Sequence, residues 1–209
     1  MKKNRTARIW LGGAIALSTL GILSCSQQEA GNTITANEKK DTSKQAMIDR
    51  GAYLVTIGSC SDCHSPKNFT NMGPVVDSTR YLSGHPATSK LPPIDVNMLK
   101  PGGWGLMALD ATCFVGPWGI SFAANLTPDS ATGLGAWSEE VFMKTLQTGK
   151  HLGQPAGRSI LPPMPWYFLN HMTEVDFKSV YAYLRSIPAI SNRVPEPVSP
   201  PDMQKMAAK

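Results

Sequence analysis

The sequence predicts a mainly helical domain, with three to four helices separated by long loops rich in proline and glycine. Three observations carry this expectation. Apolar residues recur at helical spacing around residues 44–58, 138–149 and 173–188. The 17 prolines and 18 glycines among 209 residues are too many for regular structure throughout. The five residues Cys60-Ser61-Asp62-Cys63-His64 then place two thiols, three apart, just ahead of an imidazole.

That third pattern is the spacing by which c-type haem is attached covalently. Two thiols on one turn of helix can add across the two vinyl groups of a single porphyrin, and the histidine that follows lies under the iron as proximal ligand. Two other readings of the same residues are open. A structural zinc site needs a second Cys or His pair at ligand spacing, and Cys113, His85, His151 and His171 offer none. A thiol-redox motif belongs at a strand-to-helix junction in a βαβ setting, whereas the residues before Cys60 read as a helix. The pattern occurs once, so one haem is expected.

In chain order, residues 1–24 read as a leader. Lys2, Lys3, Arg5 and Arg8 precede an uncharged, mostly apolar run from Ile9 to Ser24. This is the layout of a secretory signal, and the run is shorter than the ~20 residues a membrane span needs. Ile22-Leu23-Ser24-Cys25 resembles a bacterial lipobox, in which the chain is cut before the cysteine and its thiol receives lipid. The alternative is an ordinary signal cut nearby, with Cys25 a spare thiol. Either way the mature chain is expected outside the cytoplasm, at the periplasmic face of a bacterial membrane. Without the leader, 16 basic residues face 15 acidic ones, which leaves no basic patch to suggest nucleic acid.

Residues 25–42 are polar and read as a flexible tether. A first helix is expected over residues 44–58, with Ser43 as N-cap and Gly58 as stop. Within it Gly51 would permit a close helix crossing, against which the Tyr53 ring would pack. Residues 65–120 read as an extended, loop-rich insertion, with short strands near Leu106 to Phe114. Trp104, Phe114, Trp118 and Phe122 are candidates to wall a porphyrin or simply to fill the core. Cys113 reads as a small buried hydrophobe. Asn125-Leu126-Thr127-Pro128-Asp129 is a turn signal with Thr127 held extended by the proline. Ser138 caps a helix whose apolar face is Val141, Phe142, Thr145 and Leu146, ending at Gly149.

Leu161-Pro162-Pro163-Met164-Pro165-Trp166 is the second functional stretch. A thioether flanked by prolines cannot sit in a helix or a central strand. It is presented from a stiff loop, as a distal iron ligand requires. Met164 is therefore the candidate sixth ligand, with His85, His151 and His171 as alternatives. Thr173 caps a last helix with an apolar face of Phe177, Val180, Tyr181 and Leu184, ended by Pro188. The haem domain is thus set at residues 43–190, and residues 191–209 read as a proline-rich tail that drapes over the surface or is disordered.

Taken together, residues 60–64, 125–129, Gly133–Ser138, 161–166 and 173–188 resemble the bacterial extracytoplasmic cytochrome c family of the mitochondrial-like single-haem fold. The similarity is to haem modules that accompany membrane-associated dehydrogenases and to dihaem cytochromes. The resemblance implies thioether attachment at Cys60 and Cys63 and axial ligation by His64 and Met164. Trp137 and Arg158 are candidates to hydrogen-bond the haem propionates, or else are ordinary structure. The implied role is one-electron transfer between membrane or periplasmic dehydrogenases and a terminal oxidase or other acceptor. Its rivals are a dedicated subunit of one dehydrogenase complex and a peroxidase-like or ligand-sensing haem protein with a labile Met164.

Overall fold

The structure is a computed structural model that describes residues 43–207 apart from Pro101. The leader, the tether and the Cys25 lipidation reading lie outside the described residues.

Helix α1 (Lys44–Ile57) begins where Ser43 accepts a hydrogen bond from the Ala46 amide on its hydroxyl. Gly58 and Ser59 separate it from α2 (Cys60–His64), and Ser59 is left-handed (φ 52°), so the chain turns sharply into the cysteine motif. Helices α3 (Glu139–Thr148) and α5 (Glu174–Ser186) start at Ser138 and Thr173, whose hydroxyls accept from the Val141 and Asp176 amides. Each satisfies one of the four amides a helix start leaves unpaired. Helix α5 ends one residue before Ile187, which is extended because Pro188 follows. A short helix α4 (Trp166–Leu169) lies between them.

These helices enclose one core: Val55, Leu82, Leu134, Phe142, Val180 and Leu184, with Tyr81, Leu126, Trp137 and Tyr183 packed around it. Helices α1 and α5 cross at Gly51. A methyl group there would overlap the Ser179 carbonyl, so the two backbones meet as closely as the glycine allows. The aromatic neighbour at this crossing comes from α5, as Tyr183, and not from Tyr53. Tyr53 is 54% exposed and lies beneath the Arg50 guanidinium. Arg50 also pairs with Asp176 at 3.1 Å, fastening the two helices at one end.

Residues 65–120 carry more structure than an extended loop. A hairpin, β1 (Lys67–Thr70) with β2 (Gly73–Val76), follows the cysteine motif directly. Three further strands, β3 (Leu106–Met107), β4 (Cys113–Gly116) and β5 (Gly119–Phe122), form an antiparallel sheet in that order. This sheet has its own core of Leu99, Cys113, Val115, Ile120 and Met203. Cys113 is buried, as expected of a small apolar residue.

Met203 corrects the reading of the tail. Val198 bridges to Ile120 beside β5, and helix α6 (Pro200–Ala207) follows and buries Met203 against the sheet. The proline density of residues 191–201 hid this short helix. At its N-terminus the Ser199 hydroxyl accepts from the Asp202 amide at 3.4 Å and donates to the Asp202 carboxylate at 2.7 Å. Among the described residues, no helix is long and apolar enough to cross a membrane.

Candidate functional site

Cys60, Cys63 and His64 share the single turn of α2. His64 is buried, and its Nδ1 lies 2.8 Å from the Ala124 carbonyl oxygen. A carbonyl only accepts, so Nδ1 carries the hydrogen and Nε2 keeps its lone pair. Burial also pushes the His64 pKa below its ordinary value and keeps the ring neutral. The imidazole is thus oriented and tautomerised as metal-ligating histidines are. Burial raises the thiol pKa of Cys60, and that of Cys63 against the opposing pull of the Lys67 charge. Both thiols are half-buried and free of any disulfide.

The residues present therefore fit a c-type haem: two free thiols one turn apart and a neutral imidazole with one nitrogen committed and the other available. The fit is poorer for the rival readings. The motif follows a helix through Gly58 and Ser59, not a strand. Among the described residues, no group of three or more His, Cys, Asp or Glu side chains is placed to hold a metal ion, whereas structural zinc takes four such ligands.

Met164 is half-buried on a loop tied down at several points. The Ser121 hydroxyl donates to the Pro162 carbonyl at 2.6 Å and accepts from Trp118 Nε1 at 3.2 Å. The Met164 carbonyl accepts from the Trp166 amide at 2.9 Å. The Trp166 ring lies where a side chain at Gly149 would be, and Gly149 is left-handed (φ 65°), so glycine is required there twice over. Ser121 and Ala124 are three residues apart. One short stretch at the end of β5 therefore holds both the loop that carries Met164 and the ring of His64.

The other candidates fall into separate places. Trp137 packs against the helical core and meets the His151 ring edge-on at 5.8 Å. The Arg158 carbonyl accepts from the His151 amide at 2.9 Å, and the Arg158 charge joins burial in lowering the His151 pKa. Trp137, His151 and Arg158 thus form one neighbourhood. His171 is exposed. His85 is wholly buried, with Nδ1 2.8 Å from the Thr112 hydroxyl and its ring tilted against Phe122 at 4.9 Å. Phe114 and Trp118 are half-buried, whereas Trp104 is 71% exposed.

Two further groups of residues carry weight that spacing alone did not reveal. The Asn125 Nδ2 donates to the Ile190 carbonyl at 2.8 Å while its Oδ1 accepts from the Thr127 amide and hydroxyl. The turn thereby clamps the chain just after α5. Lys67 is the other, its ammonium bonded to three backbone carbonyls around α2. An Asn-x-Thr pair is a known turn-forming pattern, but nothing in the sequence marks Lys67.

No family model matches the chain. It is similar to cytochrome c subunits of dehydrogenases. It is 28% identical over 143 residues to the gluconate 2-dehydrogenase cytochrome c subunit of Pantoea cypripedii, covering 68% of this chain and 24% of that one. It is 26% identical over 174 residues to the fructose dehydrogenase cytochrome subunit of Gluconobacter japonicus, covering 82% and 27%. A nicotinate dehydrogenase subunit from Pseudomonas putida is also similar, at 25% identity over 150 residues, covering 72% and 9%. The matched region is about a quarter or less of the length of these curated relatives.

Proposed function

From the likeness to cytochrome c subunits of dehydrogenases and from the geometry at His64, we propose that this chain is a one-electron carrier with a single covalent c-type haem. The observation that carries the reading is the His64 Nδ1 hydrogen bond to Ala124 within a Cys-x-x-Cys-His turn. When bound, the haem supplies reversible one-electron exchange at its iron.

Cys60 and Cys63 would hold the porphyrin by thioether bonds, and His64 Nε2 and Met164 would ligate the iron. Support for Met164 over His85 comes from their settings. Met164 sits on a fastened loop, while His85 is sealed against Phe122 and Thr112. Trp137 and Arg158 would bond the haem carboxylates, a reading supported by their shared neighbourhood around His151. The close α1–α5 crossing supports the cytochrome c fold, with residues 43–190 as the haem domain and the tail closing over its sheet.

Residues 1–24 direct export, Cys25 receives lipid, and residues 25–42 tether the domain at the periplasmic face of a membrane. Electrons arrive from a dehydrogenase and leave to a terminal oxidase or other acceptor, so the protein is a carrier and not itself an enzyme. The names of the relatives favour a narrower version as well, in which the chain is the cytochrome subunit of one dehydrogenase complex.

The test is an absorption spectrum of the haem-matured protein, oxidised, reduced, and reduced under carbon monoxide. A c-type reduced spectrum, a methionine-to-ferric charge-transfer band and no response to carbon monoxide are expected. Met164→Ala should abolish that band, lower the midpoint potential and admit carbon monoxide. A wild type that already binds carbon monoxide would replace the carrier reading with a peroxidase-like or sensing one.

A further inference from the structure

We propose that Lys67 sets the reduction potential of the haem site, by pinning one positive charge beside the turn that carries Cys63 and His64. The inference rests on the electron-transfer reading above. Lys67 opens β1, three residues beyond His64, and its ammonium donates to the carbonyls of Asp62 at 2.6 Å, Ser65 at 2.8 Å and Asp110 at 3.1 Å. An ammonium has three hydrogens and here meets three carbonyl oxygens, so its donors are used up by backbone.

This is unlike an ordinary surface lysine, which keeps its charge in water and its stem mobile. Immobilising such a stem costs rotamer entropy, a cost that a lysine serving only for solubility does not incur. The carbonyls also matter by position. Asp62 and Ser65 bracket Cys63 and His64, at the end of α2, where unpaired carbonyls concentrate negative potential and a cation is stabilised. Asp110 lies in the turn before β4, so the same ammonium ties the cysteine-motif helix to the sheet. The Asp110 carboxylate is turned into its own loop, accepting from the Thr112 amide at 3.2 Å and hydroxyl at 2.8 Å. The Asp62 residue is exposed, so water screens its charge.

Reduction adds one electron and removes one unit of positive charge from the site. A fixed cation beside the site favours that state, and being held by backbone it cannot swing away to relieve the oxidised form. Lys67 is a positioning residue in this sense. It touches the segment that holds His64, not the ligand ring.

The experiment is a spectroelectrochemical titration of the haem-matured full chain as wild type, Lys67→Met, Lys67→Gln and Lys67→Arg. Both neutral variants should show a midpoint shifted to lower potential with the reduced c-type spectrum unchanged, and the arginine variant should stay near wild type. Glutamine keeps donors for two of the carbonyls and carries the test should the methionine variant not fold. A neutral variant titrating with the wild type overturns the proposal, as does an arginine variant falling as far as methionine, which would assign the effect to geometry and not charge. A wild type that acquires no covalent haem would sink the electron-transfer reading itself, a result seen before any variant is titrated.

Discussion

Replacing Gly51 by alanine sets two effects of opposite sign against each other, and the structure says which wins. Alanine in a helix interior is favoured over glycine by about 1 kcal/mol, so an isolated α1 would gain stability. In the folded chain, the new methyl would sit 2.6 Å from the Ser179 carbonyl carbon and 2.7 Å from the Tyr183 Cβ, and would overlap the Ser179 oxygen. Carbon atoms in contact normally sit about 3.5–4.0 Å apart. Two of these obstacles are backbone, which no rotamer change can remove, so α1 and α5 must separate and loosen Val55, Val180 and Leu184. Overpacking of this kind costs about 1–3 kcal/mol, and with backbone on both sides the upper part of that range applies. After the propensity gain, a net loss of about 1–2 kcal/mol remains, or a melting point lower by about 2–8 °C for a domain of this size. Thermal and denaturant unfolding followed by circular dichroism, with haem and without, measures it. A variant as stable as the wild type, or more so, would refute the close crossing. Because only Gly58 and Ser59 separate α1 from Cys60, the proposed haem attachment there predicts a lower yield of covalently loaded protein from the same variant.

Two further predictions concern other parts of the fold. Met203→Ala should destabilise by about 2–3 kcal/mol, since Met203 is buried in the sheet core and its truncation leaves a cavity; a denaturation midpoint equal to wild type would return the tail to a surface drape. Asp77 holds a pKa of about 2, below the ordinary 3.8, through hydrogen bonds from the Thr79 hydroxyl first and Arg80 next. A depressed folded-state pKa contributes stability that is present above the unfolded value and lost as pH falls through the folded one. The stability difference between wild type and Asp77→Asn should therefore be full at pH 5 and shrink steadily between about pH 4 and 2; a difference independent of pH over that window would contradict the assignment.

What the sequence revealed followed the range of the interactions involved. Ser43, Ser138 and Thr173 cap helices through bonds to amides three residues on, so local pattern found them. Phe177, Val180 and Leu184 are buried as their spacing requires. The single turn of Cys60–His64 was legible because residue type and spacing occur together there. Partners chosen by tertiary contact were not legible. Tyr53 and Tyr183 both lie near the crossing, and only packing decides that Tyr183 fills the place expected of Tyr53. The strands of residues 67–76 and 113–122 are four residues each. At that length alternation is hard to tell from a loop, so of these strands only the start of β4 fell within the short strands expected near Leu106 to Phe114. Ala124, the acceptor for His64, contributes only its carbonyl, which every residue possesses. Lys67 acts through three such carbonyls and has no pattern of its own.

The second core has a consequence for how the chain comes to be folded. Its strands end at Phe122, while the residue that covers them, Met203, and the bridging Val198 arrive some 80 residues later in chain order. A chain that emerges from its N-terminus presents β4 and β5 with Val115 and Ile120 covered from one direction only, by Leu99 and its neighbours, until that last stretch follows. During this interval the sheet is open to pairing with other chains. Completion of α6 is therefore the event that withdraws the sheet from aggregation. A chain cut before Val198 would keep its cysteine turn and helical core, yet it would leave this side of the sheet uncovered and prone to aggregate.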